Sequence, residues 1–258
     1  MKFLVIYKQN RVQSSPSMTE LKYFFLSSSV LSESTYFLQT FLSYSVIPIS
    51  QIQNDPTLFS LISSNFAEIL SVGIAAILNL PSPLLPLQIL FLNVITDIFP
   101  ALALGFGKGE KDIMQLPPKN PKEPIMTKVL WQSTLIYGLA ISASVLGITA
   151  YSYFILEFSA LQINNLAFYT LIAAQLLNVF NMPARHLSFF KNEVTTNPWV
   201  WGAIALCVGL TLLAYKIPFT SKALNLIQLT PSNIFLIVLF SFGSLALAQL
   251  VKRLGGTV

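Results

Sequence analysis

Residues 58–106 read LFSLISSNFAEILSVGIAAILNLPSPLLPLQILFLNVITDIFPALALGF, two apolar runs of helical length separated by a proline-rich turn. A helix needs about 20 mostly apolar residues to cross the hydrocarbon core of a bilayer, and both runs are long enough. Pro81, Pro83 and Pro86 make the connection tight, so the two helices are expected to be antiparallel neighbours. This stretch therefore predicts a transmembrane helical hairpin.

Four further apolar runs follow, each bounded by proline, asparagine or charge. Asn197-Pro198 and Thr230-Pro231 are expected to start the last two helices as a capping residue followed by a first-turn proline. The predicted fold is all-α, a polytopic membrane helical bundle with six transmembrane helices. The predicted spans are 58–80, 85–106, 129–155, 163–182, 199–217 and 234–251.

Composition also places the chain in lipid. Hydrophobic residues make up 54% of it, charged residues 10%, and the mean hydropathy is +0.67, which leaves too little polar surface for a water-soluble globule. The net charge of +5 does not indicate nucleic-acid binding, because the Lys and Arg residues are spread through short segments between the apolar runs. The single cysteine, Cys207, lies in an apolar run and is interpreted as a helix-packing residue.

The loop charges predict the orientation of the spans. Lys and Arg are retained on the cytoplasmic side of short loops. They concentrate in 107–128, in the connection after the fourth span and in the C-terminal tail, whereas the opposite loops hold only Lys216 and Lys222. Both ends of the six-helix unit are therefore expected in the cytoplasm. Residues 1–57 form an unassigned Ser-rich segment, for which a membrane-surface helix and a seventh span both remain open.

Two carboxylates, Glu68 and Asp97, fall well inside predicted spans, where each ionised group costs on the order of 2.5–3.5 kcal/mol. Asn65 lies three residues before Glu68, and Thr96 and Asp97 lie three and four residues after Asn93, so each set shares one helix face. Both acids lie about twelve residues from the proline-rich turn, which gives them a similar depth. Two oxygen-rich faces are thus expected to meet near the bilayer midplane.

The residue types favour a hard cation. Carboxylate, amide and hydroxyl oxygens suit Ca²⁺, Mg²⁺, Na⁺ or K⁺, and no His or Cys joins the group to favour zinc or copper. Pro100 removes a helical hydrogen bond close to Asp97 and is expected to free a carbonyl there. On the fourth span Gln175, Asn178 and Asn181 recur every third residue, and the last two are interpreted as interhelical hydrogen-bond partners. No catalytic spacing is present.

Several strings in this region resemble one protein family. They are Ser64-Asn65-Phe66-Ala67-Glu68, the run from Asn93 through Thr96-Asp97 and Pro100-Ala101-Leu102, and Pro117-Pro118-Lys119-Asn120-Pro121. From residue 58 onward the sequence closely resembles the last six transmembrane helices of type II P-type cation ATPases. The ligand pattern is most similar to that of the calcium pumps.

The resemblance implies roles for individual residues. Asn65 and Glu68 match cation ligands of the family's fifth helix, and Asn93, Thr96 and Asp97 match those of its sixth. The eighth-helix ligand position falls at Gln175, where the reticulum calcium pumps carry Glu. The implied transported cation is Ca²⁺.

The same family carries a phosphorylated Asp in an Asp-Lys-Thr-Gly-Thr string, which is absent from these 258 residues. The chain alone is therefore not expected to hydrolyse ATP, and Mg²⁺ and ATP would enter only through catalytic domains supplied elsewhere. The favoured hypothesis is the membrane portion of a calcium-like pump, as a fragment or with a separate catalytic chain. A stand-alone cation channel and a non-transporting subunit of intact pumps remain open. The expected partners are the lipid bilayer and the transported cation.

Overall fold

The computed structural model describes residues 56–99, 128–181 and 193–253, all of which belong to one compact unit, Ile47–Val258. These residues form helices joined by turns, with no strand among them. The chain is therefore an all-α membrane bundle, as predicted. Its helices are α1 (Pro56–Ile77), α2 (Pro86–Leu92) continued by a π-helix (Asn93–Ile98), α3 (Lys128–Phe154), α4 (Ala160–Asn178) continued by a 3₁₀ turn (Val179–Asn181), α5 (Glu193–Thr196), α6 (Pro198–Lys216), α7 (Pro218–Ala223) and α8 (Pro231–Val251).

Four of the described helices, α3, α4, α6 and α8, are long and apolar enough to cross a membrane. Two shorter apolar stretches, Leu61–Ile77 and Pro86–Thr96, fall within the first two predicted spans. The full α1 has 22 residues and is about 33 Å long, which is also enough. The short helices α5 and α7 were not predicted. Residues 1–55, for which a membrane-surface helix and a seventh span both remain open, and the end of the second span, 100–106, lie outside the described residues.

The two predicted capping sites are confirmed. The Asn197 side chain accepts a hydrogen bond from the backbone N–H of Trp199, and Pro198 is the first residue of α6. The Thr230 hydroxyl accepts from the backbone N–H of Asn233 at the start of α8. Each side chain thereby satisfies one N–H that a helix start leaves without an intrahelical partner.

Helix α4 forms the centre of the bundle. Its apolar window is 83% buried, against 22% for α6 and 28% for α8. It packs against α3 and α8, and its buried face includes Phe168 and Leu171. The exposed side chains of α6 and α8 are mostly apolar, as expected for surfaces that face lipid. Polar groups carried by α4 are consequently held away from the lipid.

Helices α1 and α3 approach each other closely. A Cβ atom added at Gly138 of α3 would lie 2.6 Å from Cδ1 of Phe66 and 3.2 Å from the carbonyl oxygen of Ser63. Further along the same contact, the hydroxyl of Ser71 donates to that of Ser142 over 3.3 Å. Small residues at a helix interface permit such close packing in a membrane. This contact fixes the position of the α1 segment that carries Asn65 and Glu68.

The second span departs from a regular helix earlier than predicted. The sequence indicates a break at Pro100, whereas the chain already adopts a π-helix over Asn93–Ile98. Pro100 has no backbone N–H, so it cannot make the α-helical bond to the carbonyl of Thr96. Widening the preceding turn is one way for a helix to accommodate such a lost bond, and π-helical turns are frequent at functional sites.

Candidate cation site

Helix α1 places Glu68 inside the bundle. The side chain is 1% exposed, and its Oε1 oxygen accepts a hydrogen bond of 3.0 Å from Nε2 of Gln175. One turn earlier, Nδ2 of Asn65 donates to the carbonyl of Leu61 over 2.9 Å. The Oδ1 of Asn65 and the Oε2 of Glu68 are both buried atoms. The α1 face thus brings two side chains with buried oxygens into the interior.

The π-helix carries the second set of predicted residues. Oγ1 of Thr96, a residue only 6% exposed, lies 2.9 Å from the carbonyl of Leu92 and 2.8 Å from Oε1 of Gln175. Asn93 is the first residue of the π-helix, and its buried Oδ1 has no hydrogen-bond partner within the described part of the chain. The structure describes the backbone of Asp97, which belongs to this helix, but not its side chain.

Gln175 connects the two sets. Its side chain is 2% exposed, and the two ends of its amide have different partners. Oε1 accepts from the Thr96 hydroxyl and Nε2 donates to the Glu68 carboxylate, while Nε2 also lies 3.5 Å from the carbonyl of Ser64. A single amide from α4 therefore bridges α1 and the π-helix. Of the six residues predicted from sequence, the structure joins Glu68, Thr96 and Gln175 in one hydrogen-bonded chain.

The chemistry of this group fits a hard cation. Glu68, Thr96, Gln175 and Asn93 supply carboxylate, hydroxyl and amide oxygens, the atoms that Ca²⁺ prefers. The Oδ1 of Asn93 is a buried acceptor that a cation would satisfy. Among the described residues, no three His, Cys, Asp or Glu side chains cluster as a zinc or copper site would require. Among these four residues only Glu68 is a carboxylate, and the other three offer neutral oxygens.

The amide stripe on α4 continues away from this group. Nδ2 of Asn181 donates to Oδ1 of Asn178 over 3.0 Å, and Nε2 of Gln249 on α8 donates to Oδ1 of Asn181 over 2.7 Å. Nζ of Lys252 donates to the Asn181 carbonyl over 2.8 Å. The bonds from Gln249 and Lys252 join the ends of α4 and α8 and agree with the interhelical role predicted for Asn181, whereas Asn178 is bonded to Asn181 within the same helical segment.

One contact of the π-helix was missed by sequence reasoning. The thiol of Cys207 on α6 donates to the carbonyl of Ile95 over 3.0 Å. Cys207 was predicted to be a packing residue, and it is fully buried. Its second role depends on a helix more than a hundred residues away in sequence, and no local spacing pattern signals that pairing.

Comparison with known proteins identifies the family. The family model described as "Cation transporting ATPase, C-terminus" matches residues 81–254, which is most of the chain. The chain belongs to this family. The calcium-transporting ATPase of Bacillus subtilis (strain 168) is 31% identical to it over 178 residues, which are 69% of this chain and 20% of that protein. This member of the family therefore spans about a fifth of the length of the curated relative that it matches.

Proposed function

We propose that this chain binds and translocates the transported cation of a P-type pump, through a site formed by Asn65, Glu68, Asn93, Thr96, Asp97 and Gln175. The observation that carries the proposal is the buried amide of Gln175, which holds the Glu68 carboxylate and the Thr96 hydroxyl together. A buried carboxylate is costly in lipid, and a cation stored between these oxygens would offset the cost. The sequence position of Asp97, directly after Thr96, supplies the second carboxylate.

The cation proposed is Ca²⁺. Calcium accepts six to eight oxygen ligands in flexible arrangements, and it combines carboxylates readily with amide and carbonyl oxygens. The family relative from Bacillus subtilis is named for calcium transport, which supports the same choice. Gln175 contributes no charge, so two carboxylates, Glu68 and Asp97, match the charge of one divalent ion. The proposed stoichiometry is therefore one calcium ion bound per chain.

Energy for transport would come from outside these 258 residues. The phosphorylation motif of the family is absent from them, and the similarity to the Bacillus subtilis pump covers 20% of that protein. The proposal is that the chain works as the membrane portion of a larger pump, with catalytic domains on another segment or chain that bind ATP and Mg²⁺. The neighbouring genomic sequence is the place to search for an Asp-Lys-Thr-Gly-Thr string.

The test is calcium binding by the full chain purified in detergent, measured with radioactive calcium by equilibrium dialysis. Glu68→Gln and Asp97→Asn are each expected to raise the calcium Kd at least tenfold, because each change removes one of the two carboxylates. Glu157→Gln is the matched control: it makes the same chemical change at an exposed residue in the α3–α4 turn and should leave the Kd unaltered. Unchanged binding in Asp97→Asn would remove that residue from the site.

A flux measurement distinguishes the proposed pump portion from a passive cation channel. The purified chain is placed in liposomes loaded with a calcium-sensitive dye, without ATP. A pump portion should leave calcium outside, because its site is not expected to open to both sides at once. Calcium entry that Asp97→Asn abolishes would instead identify the chain as a stand-alone cation channel.

A further inference from the structure

A second buried amide, Gln88, lies near the start of α2. The side chain is fully buried, and its Oε1 accepts from the backbone N–H of Leu85 over 2.9 Å, which caps the helix. Its Nε2 donates to Oδ1 of Asn164 over 2.8 Å and to the carbonyl of Leu224 over 2.9 Å. One amide therefore contacts the start of its own helix, helix α4 and the segment that follows α7.

Asn164 on α4, which is 4% exposed, also donates hydrogen bonds to the α2 side. Its Nδ2 donates to Oε1 of Gln88 over 3.0 Å and lies 3.2 Å from the carbonyl of Pro83. The two amides thus form a reciprocal pair in which each side chain both donates and accepts. Such a pair is strongly directional where water is excluded, because a buried amide that loses its hydrogen bonds costs free energy.

The same two helical segments meet again at the candidate site. Thr96 lies eight residues after Gln88, and Gln175 lies eleven residues after Asn164, so both segments run in the same direction between the two contacts. A helix rises about 1.5 Å per residue. Sliding α2 and the π-helix along α4 by even one residue would therefore strain the Gln88–Asn164 pair and the Thr96–Gln175 bond together.

We propose that Gln88 and Asn164 are a positioning pair that sets the axial register of α2 and the π-helix against α4, and thereby brings Thr96 to Gln175. Neither residue is among the six proposed cation ligands. The proposal rests on the proposed function insofar as it predicts cation affinity, whereas the register itself can be measured without any cation. Within the described part of the chain, the side-chain hydrogen bonds of the neighbouring Asn165 go to Leu161 on its own helix and to Asn225 and Ile227 after α7, rather than to α2.

The register is measured by pulsed electron paramagnetic resonance between nitroxide labels at Val94→Cys in the π-helix and Leu161→Cys at the start of α4, both exposed positions. Native Cys207 is fully buried, and label uptake by the chain without added cysteines checks that it stays unlabelled. Gln88→Leu is expected to shift or broaden the 94–161 distance by at least one helical rise, about 1.5 Å. The same variant should raise the calcium Kd at least tenfold.

Two further variants make the test specific. The reciprocal exchange, Gln88→Asn with Asn164→Gln, keeps both amides and the total side-chain length, and should restore the distance and most of the affinity. The matched control Asn165→Ala removes buried hydrogen bonds from the adjacent α4 residue and is expected to lower the melting temperature without moving the 94–161 distance or the Kd. If Asn165→Ala changes both as strongly as Gln88→Leu, the role of Gln88 is general stability and the proposal is overturned.

The remaining outcomes are also decisive. If Gln88→Leu does not fold, the single change Gln88→Asn is used, since it keeps the amide and shortens its reach by one methylene group; it should give a smaller change of the same kind. An unaltered 94–161 distance in a folded Gln88 variant overturns the positioning pair. A shifted distance in a chain whose unmutated form binds no calcium supports the pair and rejects the proposed function.

Discussion

At the scale of single residues, the candidate site depends on the difference between an amide and a carboxylate. Gln175 can donate to Glu68 and accept from Thr96 at the same time, because its amide carries both kinds of group. A carboxylate at this position could accept from Thr96 but could not donate to Glu68. The identity of residue 175 therefore sets the charge of the site and also its stability without a cation.

Gln175→Glu is expected to lower the melting temperature without calcium and to enlarge the stabilisation that calcium produces. The variant places two carboxylates about 3 Å apart in place of a hydrogen bond, at a cost on the order of 1–3 kcal/mol, and a divalent cation relieves that repulsion. Thermal unfolding in detergent with and without calcium measures both effects. Gln162→Glu is the control, since Gln162 accepts from the Ser159 N–H in a capping box that Glu serves equally well. An equal calcium response in both variants would contradict the prediction.

Lys252 gives the chain an expected pH dependence. Burial lowers the pKa of Lys252, which directly follows the α8 span, from 10.5 to about 8. Between these values the unfolded chain holds more protons than the folded chain, so this residue makes stability rise with pH through that window. The melting temperature of the unmutated chain relative to Lys252→Met should therefore increase from pH 8 to pH 10. A difference that stays constant or falls over this range would show that Lys252 is not held in this buried position.

At the scale of helices, the sequence predicts ends better than interruptions. In the predicted spans that the structure describes to their ends, the helices begin and end within about three residues of the predicted bounds where the 3₁₀ turn is counted with α4. The starts of α6 and α8 were predictable because Asn197 and Thr230 begin these helices through local capping chemistry. The π-helix was not predicted, since it depends on how α2 accommodates Pro100 and on the Cys207 contact from α6. Capping depends on neighbouring residues and can be predicted from the sequence, whereas contacts between helices that are distant in sequence cannot.

The same distinction applies to the candidate site. Helical spacing placed Asn65 with Glu68, and Asn93 with Thr96, because residues three apart share a helix face. The family resemblance was needed to add Gln175, and the structure then placed it between Glu68 and Thr96. Gln88 and Asn164 received no predicted role, since nothing in an isolated glutamine and asparagine 76 residues apart indicates that they pair.

Gly138→Ala is expected to disturb the α1–α3 contact. The added Cβ would lie 2.6 Å from the Phe66 ring and 3.2 Å from the Ser63 carbonyl, so the ring must turn aside and the α1 backbone must shift by a few tenths of an ångström. Overpacking typically costs about 1–3 kcal/mol, against a gain of about 1 kcal/mol from the better helix propensity of Ala. We expect a lower melting temperature and weaker calcium binding. Gly209→Ala, where no atom lies within 4 Å of the new Cβ, should be neutral or stabilising, and equal effects at both positions would exclude the steric explanation.

At the scale of the whole molecule, burial divides the bundle into an inner and an outer part. Helix α4 and the 3₁₀ turn that continues it carry buried amides at Asn164, Gln175 and Asn181, each of which contacts a different neighbouring segment. Helices α6 and α8 are mostly exposed and apolar. Lipid therefore surrounds an interior in which α4 and its 3₁₀ turn make polar contacts with α1, α2, the π-helix and α8, so movement of α1 or α2 relative to α4 would alter the candidate site directly.

Orientation in the membrane is the remaining whole-molecule prediction. The positive-inside rule places the tail with Arg253 in the cytoplasm, and Lys222 and Glu157 on the opposite side. In intact cells that carry the chain in the plasma membrane, a membrane-impermeant maleimide should therefore label Lys222→Cys and Glu157→Cys at once, and Arg253→Cys only after permeabilisation; all three positions are exposed. Native Cys207 is buried and provides the unlabelled control. Labelling of Arg253→Cys before permeabilisation would show that the topology is the reverse of the predicted one. The basic segments, with any catalytic domains joined to them, would then lie on the side without ATP.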